Sequence, residues 1–179
     1  QDLFPTSWSP DGRFLLAYAL DPATGGNIDV VVREPDGEWR PLVTGPGNQR
    51  AGMFSPDGRW VAYMSDERGR PEVYLRDWPG ATRRWIVSSG GGADPVWSGN
   101  GRELYYLTGN RVMAVSVQTG SEPILSAPQQ RFEGLFQVHF GGDQSYDVAK
   151  DGRLLMLFPA LADADQVKVT LNWLPAARP

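Results

Sequence analysis

Phe54-Ser55-Pro56-Asp57-Gly58-Arg59, followed directly by Trp60-Val61-Ala62-Tyr63-Met64, is the stretch that decides the fold. The same phrase stands earlier as Trp8-Ser9-Pro10-Asp11-Gly12-Arg13 before Phe14-Leu15-Leu16-Ala17-Tyr18. It returns as Trp97-Ser98-Gly99-Asn100-Gly101-Arg102, and in a fourth form as Val148-Ala149-Lys150-Asp151-Gly152-Arg153. The steps from Asp11 to Asp57, Asn100 and Asp151 are 46, 43 and 51 residues. A period in that range marks a repeat architecture. Asp-Gly or Asn-Gly between apolar runs is a strong hairpin signal, because Gly accepts positive φ and Asp or Asn bonds back onto the turn backbone. Pro presets φ at the start of such a turn. The run after Arg is apolar at odd and even positions alike, as in a strand covered on both faces.

Working outward from these turns, strands are expected over Leu3 to Trp8, Arg13 to Leu20, Ile28 to Arg33 and Trp39 to Thr44. The second unit gives Arg59 to Ser65, Glu72 to Asp77 and Arg83 to Ser88, and the third gives Glu103 to Thr108, Arg111 to Val117 and a weak strand near Pro123 to Ser126. Ala127 to Gln144 reads as an irregular linker, after which Arg153 to Phe158 and Val167 to Trp173 are strands. No stretch of ten residues has helical periodicity with caps. The chain is therefore expected to be all-β. Four short strands per unit is the anatomy of a β-propeller blade, and units that cannot bury their faces alone cover one another around an axis. One propeller or partial propeller is expected over 1–179. Its approximate repeats are 13–58, 59–101, 102–152 and 153–173, with 3–12 supplying a leading strand. About four blades follow, either as a closed ring or as part of a larger one.

Composition narrows the function classes. The 179 residues are 41% hydrophobic, with a net charge of -4 and only Lys150 and Lys168 as lysines. A mildly acidic chain argues against a nucleic-acid or anionic-membrane surface. No apolar run approaches the roughly 20 residues needed to span a bilayer, so no membrane insertion is expected. Without cysteine there is no disulfide framework, thiolate nucleophile or thiolate zinc site. Gln1 in place of Met suggests a domain cut from something longer, and the compartment stays open, with an extracytoplasmic setting favoured for a sensor.

These residues resemble the TolB-type propeller repeat, whose mark is a Trp/Phe-Ser-Pro-Asp-Gly turn before an apolar strand. Phe54 to Tyr74 is further similar to the C-terminal propeller of certain bacterial eukaryotic-like serine/threonine kinases. Ser88-Ser89-Gly90-Gly91-Gly92, Pro95-Val96-Trp97, Glu103-Leu104-Tyr105-Tyr106, Val112-Met113-Ala114-Val115 and Leu171-Asn172-Trp173 belong to the same pattern. The resemblance runs from about Pro5 to Trp173. It departs in the third repeat, where Pro-Asp becomes Gly-Asn, and in the fourth, where the aromatic and Pro are gone. It implies a propeller appended to a kinase or related regulator as sensor or docking surface. No Gly-rich loop with His-Arg-Asp and Asp-Phe-Gly is present.

Catalytic chemistry finds little support in the residues. A Ser-His-Asp triad would have to use His139, the one histidine, and no Gly-x-Ser-x-Gly elbow exists. Ser9, Ser55 and Ser98 recur because the turn recurs. Asp21 with Asn27 and Asp29, or Asp163 with Asp165, lacks the spacing of a calcium loop. No Lys-Ser/Thr follows Ser88 to Gly92, so it is no phosphate loop. No catalytic residue, metal or cofactor is expected. Binding is the better expectation, with a protein or peptide partner. Propeller ligands meet the loops about the axis, here Gly47 to Ala51, Gly91 to Asp94 and Val138 to Asp143, with Arg50, Asp94 and His139 as candidate funnel residues. Trp39, Trp78 and Trp85, with Trp173 and nearby arginines, form a candidate interaction surface, the alternative being packing between blades. Asp11, Gly12, Asp57, Gly58, Asn100, Gly101, Asp151 and Gly152 are the structural turn residues. Two other classes stay open: the substrate-gating propeller of a prolyl-oligopeptidase-like or tricorn-type peptidase, and a propeller that is itself a lactonase or glycosidase. An incomplete ring would leave apolar faces open to self-association.

Overall fold

The computed structural model describes residues 2–20, 26–136 and 145–157. Among them are antiparallel strands and no helix, so no helix is long and apolar enough to cross a membrane. β1 (Asp2–Trp8), β2 (Leu15–Leu20), β3 (Ile28–Arg33) and β4 (Trp39–Val43) form one sheet in chain order. A second sheet holds β5 (Gln49–Phe54), β6 (Trp60–Ser65), β7 (Glu72–Asp77) and β8 (Arg84–Ile86). The third has β9 (Ala93–Trp97), β10 (Glu103–Thr108) and β11 (Arg111–Gln118). Its outer edge is shared by β12 (Ile124–Leu125), on the end of β11, and β13 (Gln129–Glu133), on its beginning. β14 (Tyr146–Val148) and β15 (Leu154–Met156) pair in a fourth sheet. This is β-propeller architecture.

The repeated turn explains the repeated sequence. Gly12 N–H donates to the Ser9 carbonyl at 2.8 Å, Ser9 Oγ donates to Asp11 Oδ1 at 2.6 Å, and Phe14 N–H donates to Ser9 Oγ at 2.9 Å. Ser55, Asp57 and Trp60 repeat this wiring, and so do Ser98, Asn100 and Glu103. Asn100 thus replaces Asp without loss, because the carbonyl oxygen accepts the same bond. In the fourth copy Ala149 has no hydroxyl. The closing bond runs from Ala149 N–H to the Arg153 carbonyl, one residue earlier than its counterparts. All four turn glycines lie at φ between +66° and +85°, where a Cβ is penalised.

The aromatics before Ser55 and Ser98 are wedges between sheets. Phe54 is buried with Leu16, Val30 and Val32 of the first sheet and Val61 and Tyr63 of the second. Trp97 is buried with Trp60, Ala62, Val73 and Leu75 of the second sheet and Leu104 and Val115 of its own. Tyr146, Val148 and Met156 close over Val96, Tyr105 and Leu107 at the third junction.

Three strands lie where the sequence pattern suggests loop. β5 covers part of Gly47 to Ala51, β9 part of Gly91 to Asp94, and β13 part of the Ala127 to Gln144 linker. β5 and β9 carry register shifts and Gly or Pro, which erase the period-two pattern, and Gln129-Gln130-Arg131-Phe132-Glu133 is a polar edge strand with one buried residue. The expected strand over Val167 to Trp173 lies outside the described residues.

Two outcomes follow. Phe54→Ala should cost about 3–5 kcal/mol in chemical denaturation, as large-to-small changes in cores do. Trp8→Ala, at the equivalent but exposed position, should stay within about 0.5 kcal/mol for the dilute chain. The second outcome concerns alkaline pH. Burial raises Tyr63, Tyr74, Tyr106 and Tyr146 above the ordinary phenol value of 10.0. Burial, with a hydrogen bond to Glu103, pushes Tyr105 up to about 12. The folded chain therefore keeps protons that the unfolded chain releases near pH 10, so this stability is intact below that value and is lost as pH rises above it. Tyrosinate absorbance at 295 nm should rise together with loss of the β circular-dichroism signal. Ionisation of most tyrosines near pH 10 with the β signal intact would contradict this.

Candidate functional site

β1, β5 and β9 are edge strands of their sheets, and each packs against the next, with β14 packing on β9. Their free edges therefore converge, and this is the axis. Counting six residues back from the turn Asp or Asn gives Pro5, Ala51, Asp94 and Ser145, the same position in four repeats. Here the inner strands depart from regular pairing. The register slips between Pro5 and Ser7 in β1 and between Arg50 and Met53 in β5. Ala51 and Asp94 both adopt left-handed backbone, at φ 52° and 50°. For residues with a Cβ this conformation costs about 1–2 kcal/mol. It interrupts the regular pairing of the strand at that point.

Two members of this ring are buried, Ser145 and the carboxylate-bearing Asp94. Its Oδ2 accepts a hydrogen bond from Ser145 Oγ at 2.9 Å, and its backbone carbonyl accepts one from the Tyr146 hydroxyl at 3.0 Å. Burial, then the neighbouring Asp94 carboxylate, holds the Tyr146 phenol well above its usual range, so it remains a donor. Between β1 and β5, Thr6 Oγ1 donates to the Gly52 carbonyl at 2.6 Å, and Phe54 N–H donates to Ser7 Oγ at 3.1 Å. A cleft of about 130 Å³ opens over these residues, lined by Pro5, Thr6, Ala51, Gly52, Met53, Asp94 and Pro95. Gly52, the polar residues Thr6 and Asp94, and the four apolar residues Pro5, Ala51, Met53 and Pro95 line it together.

Acid–base catalysis needs a second group placed beside the first; among the described residues Asp94 is the ionisable side chain that lines the cleft. Among the described residues no three His, Asp or Glu come together as a metal-binding group. Asp57, Asn100 and Gly101 rim a wider depression at the turn end of the sheets, beside Gly120 and Glu122. Its walls are held from outside the repeat pattern: Arg59 Nη2 donates to the Gly120 carbonyl at 2.6 Å and Arg83 Nη1 pairs with Glu122 at 2.8 Å.

Asp94 thus lies in the cleft wall, and Arg50 sits on β5 next to Ala51. His139 and Trp173 lie outside the described residues, as do Asp21, Asp163 and Asp165. The three candidate surface tryptophans are half-buried by packing. Trp78 meets Phe14 and Phe54 edge-on at 5.0 and 5.3 Å, and the Arg40 guanidinium lies 5.4 Å from its ring. Trp85 meets Trp60 at 5.4 Å with Arg83 over it, and Trp39 packs on Ala17, Ala19 and Val31. Sequence reasoning missed Thr6, Gly52 and Ser145, although position six before each turn was available as a signal. It also missed Trp8, the exposed tryptophan, which the repeat equates with Phe54 and Trp97.

No protein-family model matches the chain. Among solved structures it is similar to a putative TolB from Agrobacterium tumefaciens, with TM-score 0.65 and 18% identity over 89% of this chain and 60% of that one. It is similar to a puromycin-hydrolysing peptidase of Mycobacterium tuberculosis, with TM-score 0.62 and 20% identity over 83% of this chain and 27% of that one. A chain of the nidogen/laminin complex matches with TM-score 0.59 and 13% identity over 84% of this chain and 53% of that one. The chain therefore has a TolB-like β-propeller fold and spans less than two thirds of the length of these neighbours.

The Asp94–Ser145 bond joins the third and fourth sheets. In a double-mutant cycle, Asp94→Ala and Ser145→Ala should show a coupling of about 0.5–1.5 kcal/mol in denaturant unfolding, as expected for one hydrogen bond. Strict additivity would mean that this side-chain bond contributes nothing to joining the two sheets.

Proposed function

We propose that this TolB-like propeller is a non-catalytic protein-interaction or sensor module that takes an extended peptide segment in its axial cleft. The observation that carries this reading is the convergence of the inner edge strands β1, β5 and β9 on a cleft walled by Thr6, Gly52 and Asp94. An extended peptide satisfies such edges through its backbone, and pockets beside them select alternate side chains. Asp94 at the wall favours a peptide with a cationic or donor side chain there. The larger setting proposed is the C-terminal propeller of a signalling protein such as a bacterial serine/threonine kinase. This rests on the resemblance carried by Phe54 to Tyr74.

A second reading has a specific observation behind it. The likeness to a puromycin-hydrolysing peptidase supports a propeller that gates substrate access to a separate catalytic domain. In that case the cleft would pass peptides rather than hold them.

Panning a displayed library of random linear peptides on the chain tests the first reading. Binders should be enriched, and their capture should fall at least tenfold for Pro5→Trp, an exposed lining position, with the melting temperature unchanged. Binders indifferent to Pro5→Trp, or none, would overturn it. Hydrolysis of the peptides that co-purifies with the chain would overturn the non-catalytic reading.

A further inference from the structure

We infer that the axial cleft is a lysine pocket: it takes one primary alkylammonium side chain of a bound peptide, with Asp94 as the group that reads the charge. This rests on the reading of the cleft as a peptide site and names the residue of the peptide that enters it. The cleft measures about 130 Å³. A cavity of about 150 Å³ accepts benzene, so there is room here for about five or six heavy atoms. That is one side chain, and the rest of an extended peptide lies outside it.

The polar chemistry of the wall is one-sided. Thr6 has one O–H, which it donates to the Gly52 carbonyl at 2.6 Å, so its oxygen offers the cleft lone pairs and no proton. Pro5 and Pro95 have no backbone N–H. Asp94 brings an acidic group, and among the described residues that line the cleft none brings a basic one. The side chains of the wall therefore accept and do not donate. Their complement is a group that only donates, and an ammonium has three N–H and no acceptor. Two features favour lysine over arginine. Ser145 Oγ already donates to Asp94 Oδ2. A guanidinium binds a carboxylate best as a fork on both oxygens, whereas an ammonium is a point charge that one oxygen serves. A four-carbon stem ending in one nitrogen also matches the space, which the larger guanidinium exceeds. The stem needs apolar walls, and Pro5, Met53 and Pro95 supply them. Met53 packs on the core between the second and third sheets and on the core between the third and fourth, so it is held from both sides.

Linear peptides enriched on the wild-type chain from a displayed random library should share a lysine. Replacing that lysine by norleucine, which keeps the stem and removes the ammonium, should weaken binding about tenfold or more, as for a hydrogen bond to a charged group. Replacing it by arginine should weaken binding as well. Asp94→Asn keeps an acceptor for Ser145 Oγ and removes the charge, and on that variant the lysine and norleucine peptides should bind alike. The peptide substitutions are read on the wild-type chain, whatever the variant's stability. n-Butylammonium alone should shift the backbone amide resonances of Gly52 and Asp94, and n-butanol should not. Enriched peptides that lose capture with Pro5→Trp yet share no lysine, or tolerate norleucine or arginine in its place, would overturn the inference and leave the peptide reading standing. A norleucine penalty that persists on Asp94→Asn would overturn the role of Asp94. Shifts with n-butylammonium but no peptide binders would overturn the peptide reading, and with it lysine as the source of the group, in favour of a free amine. Neither shifts nor binders would overturn both.

Discussion

The aromatic wedge between neighbouring sheets is the constraint on which the rest depends. A four-stranded sheet with apolar side chains on both faces is unstable in water by itself, and each face must meet another sheet. Phe54 and Trp97 fill the space where two twisted sheets splay, near the inner strand. The turn that follows sets their height. Because the serine hydroxyl accepts the strand-return N–H and donates to the Asp or Asn side chain, the reversal has one geometry. The residue directly before it is therefore delivered to one place. Turn chemistry and inter-sheet packing are thus two ends of one device, which is why they recur together in the sequence.

A second device holds the passages from sheet to sheet. Each uses a carboxylate as acceptor. Asp66 receives Asn48 N–H at 2.6 Å and Asn48 Nδ2 at 2.9 Å, fixing the loop into β5. Glu72, almost wholly buried, receives Arg70 Nε at 2.7 Å, Gly91 N–H at 3.1 Å and the Ser88 hydroxyl, fixing the loop into β9. Asp94 receives Ser145 Oγ at the third passage. A buried charge is tolerated only when its lone pairs are filled, and here main-chain and hydroxyl donors fill them. The loops carry little apolar surface of their own. These bonds give them fixed shape where packing does not.

The all-β class and the propeller were legible because both devices leave periodic marks. Trp8, Phe54 and Trp97 are spaced by the repeat, and Ile28 to Arg33, Glu72 to Asp77 and Glu103 to Thr108 carry strands whose bounds the apolar pattern gives to the residue. What was not legible lies where those marks stop. β5 and β9 are bulged at Ala51 and Asp94, so side-chain alternation fails there. β13 is an edge strand whose outward side is solvated, and Gln129-Gln130-Arg131 has the composition of a loop. Trp78 and Trp85 show the opposite limit. A tryptophan beside arginine resembles interface composition, yet Arg40 and Arg83 lie over rings that already pack on Phe54 and Trp60.

The candidate site was only partly legible for a deeper reason. A position that every sheet needs for its own folding recurs in type, so repetition exposes it. The axial position is occupied by Pro5, Ala51, Asp94 and Ser145, four residues with nothing in common chemically. The repeat demands only that the strand bend there, and a left-handed or proline-bearing bulge achieves that with many side chains. Asp94 and Ser145 use that freedom to bond to each other between the third and fourth sheets. The proposed binding cleft therefore lies where equivalent positions diverge, rather than where they agree.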